Sequence, residues 1–329
     1  MTSVAPRLLL LLLLLLVAFV LSVALGAATL APGAVVGALL GTGDAVTRTI
    51  VVDLRLPRAL LAALVGGALA LSGAVFQALV RNPLAEPYIM GVSSGAAVGA
   101  VGAAALGWGL LVPWLPTLTA FVGALLTIVL VFRVATAAGR AMDTRVLLLA
   151  GVVIGAFFNA VILLLLTLTD IETFRSAVFW MMGSLAGARW RTVAVLAVYI
   201  VPTTLVLLAL ARGLDLLAVG EESALYLGVP VERLKRVAFV VTSLLVAAGV
   251  AVSGVIGFIG LVVPHALRLV WGSDHRFLLP GCVLAGAAFL LLADTAARTL
   301  TSPSELPVGV ITAIVGVPVF VVLLTRRAA

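Results

Sequence analysis

Long apolar runs separated by short polar breaks occupy nearly the whole chain. They lie near Leu8–Leu30, Arg58–Val80, Gly91–Leu106, Pro116–Ala135, Arg145–Leu168, Thr192–Ala211, Val237–Val252, Val255–Val270, Phe277–Thr299 and Pro307–Thr325. A helix needs roughly 20 apolar residues to cross a hydrocarbon layer of about 30 Å. The pattern therefore predicts an all-α integral membrane protein with about ten transmembrane helices and both termini on one face. The first run follows Arg7 and ends in Gly26, Ala27 and Ala28, as a secretory signal would. Its apolar length exceeds the roughly 7–15 residues of a signal core, so a retained first span is expected.

The polar residues between the runs give the chain a direction. With the N-terminus placed in the cytoplasm, the inner segments hold Arg7, Arg81, Arg133, Arg140, Arg145, Arg212, Arg233, Lys235, Arg236, Arg268, Arg276, Arg326 and Arg327. The outer segments hold only Arg48, Arg55, Arg58, Arg175, Arg189, Arg191 and Arg298. That imbalance predicts cytoplasmic termini. Three connections are longer or more polar than a turn requires: Ala31–Pro57 and Thr169–Arg191 outside, and Arg212–Arg236 inside. Connections of this kind are where such a protein meets partners. Thr169–Arg191 carries Phe174, Phe179, Trp180, Met181, Met182 and Trp190, which predicts a short amphipathic helix at the interface.

Composition agrees with this layout. Hydrophobic residues make up 64% of the chain and charged residues 10%, against about 25% charged in soluble domains. With a mean hydropathy of +1.34, little is left for a soluble domain, and residues 1–329 read as a single polytopic transmembrane domain. The net charge of +7 is scattered over loops and forms no stripe, so nucleic acid is not the expected partner. Membrane lipid is. Small residues recur every fourth position at Gly91, Gly95 and Gly99, at Gly151 and Gly155, and at Gly249, Ser253 and Gly257. Such stripes let helix backbones approach closely, and packing within the chain is expected of them. Cys282 stands alone in an apolar run, as a core thiol with no disulfide framework.

The missing chemistry narrows the function. An ATP-hydrolysing chain needs a glycine-rich loop ending in a lysine, yet the single lysine, Lys235, lies between Leu234 and Arg236. Any ATP-driven action must borrow a partner's ATPase. A secondary transporter or proton pump usually buries ionisable groups at mid-span. Here only Glu86, Asp294 and His265 come near the spans, and a structural, hydrogen-bonded role is expected for each. His265, His275 and Cys282 lack metal-ligand spacing, so no metal site or cofactor is expected. No nucleophile and base assemble from two histidines, and no catalytic residues are assigned.

Arg55-Leu-Pro-Arg58, then Gln77 and Arg81-Asn-Pro-Leu-Ala-Glu-Pro87, then Gly91-Val-Ser-Ser-Gly95, resemble the signature of the FecCD-type permease family. That family serves importers of iron-siderophores, haem and vitamin B12. The resemblance continues through Trp180-Met-Met-Gly-Ser-Leu185, Gly228-Val-Pro230, Gly257-Phe-Ile-Gly-Leu-Val-Val-Pro-His265, Glu305-Leu-Pro-Val-Gly309 and Gly316-Val-Pro-Val-Phe320. It covers nearly the whole chain in motif order.

The resemblance implies a type II ABC importer permease in the bacterial inner membrane. Its partners would be a second copy of itself, two cytoplasmic ABC ATPase subunits, and a periplasmic or lipid-anchored binding protein. An iron chelate or haem is the expected cargo, with cobalamin close behind. It also implies roles for particular residues. Leu214, Glu221, Glu222, Ser223, Ala224, Leu227, Gly228 and Val229 would couple to the ATPase, and the residues themselves support a short helix there. Glu221, Glu222 and Ser223 suit a helix start, while Gly228 and Pro230 suit its stop. Arg55, Arg58 and Arg298 would dock the binding protein, since a guanidinium pairs with a carboxylate at two points. Asn82, Leu84, Met142 and Thr144 would gate the pathway, with Asn82-Pro83 as a helix break. Met142 departs from the small polar residue expected at its position. The alternative is a secondary transporter or exporter that needs no binding protein.

Overall fold

A computed structural model describes residues 4–137 and 144–325, and no strand occurs among them. The chain opens on α1 (Val4–Ala24) and passes through α2 (Pro32–Leu39) and α3 (Ala45–Arg48). Pro32 begins α2 where its missing N–H leaves no partner wanting. Asp44 caps α3 by accepting from the Thr47 N–H at 2.9 Å. A wider-wound π segment, Thr49–Arg55, then runs directly into α4 (Leu56–Leu79).

Next come α5 (Val92–Ala105), α6 (Trp108–Leu111), α7 (Leu115–Ala137) and α8 (Thr144–Thr167). The expected amphipathic element is α9 (Ile171–Met181), capped by Asp170 through the N–H groups of Glu172 and Thr173. It buries Ala177 and exposes Ile171, Phe174 and Phe179, an apolar face left uncovered by the described residues. Then follow α10 (Trp190–Ala209), α11 (Ala211–Val219), α12 (Glu221–Tyr226), α13 (Val231–Ser253), α14 (Ile259–Trp271), α15 (His275–Thr299) and α16 (Val308–Thr325).

Seven of these helices are long and apolar enough to cross a membrane: α1, Ala45–Leu79, α7, α8, α10, α13 and α15. Three further apolar stretches, Val92–Ala105, Ile259–Trp271 and Val308–Val322, are shorter. They fall where spans were expected, but the run Val255–Val270 is corrected. Residues 254–258 leave the helix, because Gly254 and Phe258 take left-handed backbones (φ 68 and 70). The break of α4 also comes earlier than Asn82-Pro83. The helix ends at Leu79, and Arg81 is already left-handed (φ 50).

The buried heart of the molecule is α4, which small residues bring against its neighbours. A Cβ placed on Gly66 would lie 2.3 Å from the carbonyl oxygen of Gly286 in α15, and one on Gly73 would lie 1.8 Å from that of Gly260 in α14. The Gly95/Gly99 stripe likewise packs within the chain, on Thr127, Gly123 and Thr119 of α7, and Gly151 packs on Ile89 and Met90. These contacts meet the packing expectation for those two stripes. By contrast α1, α7, α8 and α10 expose long apolar flanks, as surfaces bathed in lipid or in another subunit do.

Candidate functional site

Three regions carry the residues singled out above. The first is the end where α1 finishes, α4 starts and α15 finishes. The last carbonyls of α1 have no donors within their own helix, and two distant arginines supply them. The Arg55 guanidinium donates to the carbonyls of Val23 (3.0 Å), Ala24 (2.6 Å) and Ala28. Arg298 donates to the carbonyls of Ser22 (2.9 Å) and Leu25 (3.3 Å) and lies 3.1 Å from Asp294. A cation is favourable at a helix C-terminus. Of the three arginines expected to dock a partner, Arg55 and Arg298 are buried and hold α1. Arg58 is the link to the surface. Its Nε and Nη2 grip the fully buried Asp294 at 2.9 to 3.1 Å, while Nη1 donates to both oxygens of the half-exposed Glu305 at 3.0 and 2.9 Å. Asp294 thus has the structural role expected of it.

The second region is the opposite end, where α11, α12 and the start of α13 lie. The expected short helix is present as α12, with Glu221 and Glu222 in its first turn and Gly228 left-handed (φ 82) just beyond. Leu214 and Ala224 are buried and seat it, whereas Glu222, Ser223, Leu227 and Gly228 face outward. Lys235 lies beneath, its Nζ 3.0 Å from Glu221 and 3.1 Å from Glu232, and Arg81 approaches Glu221 at 3.6 Å. Leu225 and Tyr226 are also exposed, Tyr226 by 84%, and with Leu227 they form an apolar tip. The sequence reading passed over these two; their signal was an apolar pair between two turn formers in a charged segment.

The third region joins the gate candidates. Asn82 accepts from the Leu84 N–H at 2.9 Å, a tight turn that points Leu84 outward. Thr144, at the start of α8, donates to the Leu79 carbonyl at 3.5 Å, so the end of α4 and the start of α8 meet. Met142 lies outside the described residues. Beside Asn82 opens a cleft of about 600 Å³ lined by Gln77, Arg81, Asp215, Arg268 and His275 among others. The His275 Nδ1 sits 2.6 Å from an Asp215 oxygen that also accepts from the His275 backbone N–H. At the rim, the hydrogen bond from Arg276 holds the Asp274 carboxyl below its ordinary range. The buried Gln77 and the half-buried Glu86 and Tyr88 reach from α4 and its following connection to backbone groups between Ile256 and Gly260. This meets the structural expectation for Glu86, while Gln77 and Tyr88 had no role assigned by sequence. His265 packs edge-on against Phe320, ring centroids 5.6 Å apart. Among the described residues no three His, Cys, Asp or Glu side chains are grouped to hold a metal ion.

Comparison with known proteins fits this geometry. The model of the FecCD transport family matches residues 14–326. Over 294 residues the chain is 43% identical to the uncharacterized ABC transporter permease protein YvrB of Bacillus subtilis (strain 168), covering 88% of this chain and 83% of that one. Over 281 residues it is 48% identical to the cobalamin import system permease protein BtuC of Halobacterium salinarum, covering 85% and 74%. A solved structure described as an inward-facing conformation of an ABC transporter, assigned to the metal-chelate type, superposes with a TM-score of 0.87 at 35% identity, covering 97% of this chain and 98% of that one.

Proposed function

The chain belongs to the FecCD transport family and is an ABC importer permease, and from that premise we propose that two copies form a substrate pathway driven by two separate ATPase subunits. The carrying observation is α12: a short helix with an exposed apolar tip, Leu225 to Leu227, seated on buried Leu214 and Ala224 and tied by Glu221 to Lys235. An exposed apolar knob with acidic flanks suits a cleft in a protein partner better than it suits water. The sequence offers no nucleotide loop of its own. Glu221, Glu222, Ser223, Leu227, Gly228 and Val229 would form the contact, with Leu225 and Tyr226 added.

At the other end, Arg58 and Glu305 present the accessible part of a charged cluster to a binding protein, and Arg55 and Arg298 keep that surface in place from beneath. Asn82, Leu84 and Thr144 line the inner gate. Residues 1–329 act as one permease domain in a bacterial cytoplasmic membrane, with α12 inside. The cargo is a bulky metal chelate: iron chelate, haem or cobalamin, the last supported by the cobalamin-import relative. ATP binding closes the ATPases, and partners with different affinity for the two gate states shift the equilibrium between them.

Reconstitution with the cognate ATPase and binding protein tests this. Replacing Glu221 and Glu222 with Arg should abolish ATPase assembly and uptake together. Uptake that persists without ATP but stops when the proton gradient is collapsed overturns the reading. Titrating the binding protein with haem, a ferric siderophore and cyanocobalamin identifies the cargo.

A further inference from the structure

We propose that Gln77, Glu86 and Tyr88 form a clasp that makes the connection 80–91 and the helix break 254–258 move as one unit. Through it, rearrangement beside Asn82 and Leu84 is passed to the C-terminal end of α9 and the middle of α16. The transport consequence rests on the function proposed above; the clasp itself does not.

The Gly254 N–H still reaches Val250 and the Phe258 carbonyl still accepts from Val262, both at 2.8 Å, but the chain between these two bonds leaves the helical ladder, and its buried polar groups must find other partners. Side chains from across the contact take over. Tyr88 Oη donates to the Ile256 carbonyl at 2.8 Å and accepts from the Ile256 N–H at 3.2 Å, so it serves both polar groups of one residue. Glu86 Oε1 accepts from the Phe258 N–H at 2.8 Å. Gln77 Nε2 donates to the Ala85 carbonyl at 3.1 Å and to the Gly260 carbonyl at 3.0 Å, one on each side of the contact. Its Oε1 is held by Arg268.

Backbone strain marks the same place. Among the described residues, two that are not glycine have positive φ, Arg81 and Phe258, and one stands on each side of the clasp. Such conformations persist only where the surroundings over-determine them, and they gather at switch regions. The far side of the break has no slack either. A Cβ on Gly254 would lie 2.1 Å from the Trp180 carbonyl oxygen, and one on Gly183 would lie 2.6 Å from that of Val255. The Ser184 N–H donates to Ser253 at 2.8 Å, and a Cβ on Gly316 of α16 would meet that of Phe258 at 2.6 Å. The break is therefore pinned between the gate-bearing connection on one side and α9 and α16 on the other. A displacement at residues 82–88 has a continuous path of bonded and touching atoms to follow, with strained residues at which it can switch.

Hydrogen exchange on the full chain in nanodiscs tests the clasp without any transport assay. Tyr88→Phe removes one donor and its acceptor while keeping the ring; Glu86→Ala removes the acceptor of Phe258, and Glu86→Gln restores a weaker one. Tyr88→Phe is expected to raise exchange about tenfold in both 80–91 and 254–260, Glu86→Ala to do the same, and Glu86→Gln to recover most of the protection. Faster exchange in 80–91 alone overturns the proposal, and Tyr88→Phe decides the matter even if Glu86→Ala fails to fold. In the reconstituted complex, Tyr88→Phe should lower uptake per ATP hydrolysed about fivefold while hydrolysis continues. An unchanged ratio counts against the clasp. A wild-type complex that never transports overturns the proposed function instead, and leaves the exchange result to judge the clasp.

Discussion

The two charged clusters at opposite ends of the molecule are built inversely. At the end of α15 a carboxylate, Asp294, is the fully buried centre and arginines close over it from two helices. At the start of α13 a cation, Lys235, is the buried centre, and its carboxylates Glu221 and Glu232 are 34% and 42% exposed. A buried carboxylate between planar guanidinium groups is a fixed cross-link, since removing any member leaves an uncompensated charge out of water. A buried ammonium beneath two part-exposed carboxylates is exchangeable, because each carboxylate can turn to solvent or to another protein. One end is fastened and the other is held ready.

Asp294→Ala should produce the largest effect, leaving Arg298 without its carboxylate and Arg58 with Glu305 alone, with a loss of about 3–5 kcal/mol in thermal or denaturant unfolding. A loss below about 1 kcal/mol would erase the contrast between the ends. Lys235→Met comes next, at about 1–2 kcal/mol, because the two carboxylates it leaves behind can hydrate. Glu221→Gln should cost no more than about 0.5 kcal/mol in the isolated chain, so a large defect in ATPase assembly from the same variant would belong to the partner contact. The smallest effect sharpens the comparison through salt. Raising ionic strength from about 0.1 to 1 M shortens the screening length from about 10 to 3 Å, which should weaken the α12 cluster slightly and leave the Asp294 cluster unchanged, as measured by the stability difference between each variant and the wild type.

How much of this was legible in the sequence depends on the distance over which each feature is decided. The ends of α12 were legible because Glu221, Glu222, Gly228 and Pro230 act within a few residues. The amphipathic α9 was legible because its aromatic residues cluster locally. The buried state of Arg55 and Arg298 was not, for it depends on α1 ending beside residues as many as 276 positions away. The break at 254–258 was hidden by apolar side chains: Val255, Ile256 and Phe258 extend the greasy run, and only Gly254 and Gly257 hinted at a change of course. No residue type announces that a phenylalanine will turn left-handed. The cross-helix partners that hold it there, Glu86 and Tyr88, become visible only in three dimensions.

At Gly73 the oxygen of Gly260 occupies the position a methyl group would need, and at Gly66 the oxygen of Gly286 stands almost as near. Neither joint has room for a side chain, as a dovetail has none for a shim. A single methyl at either glycine would wedge α4 away from α14 or α15 and loosen the frame on which the rest of the chain is hung.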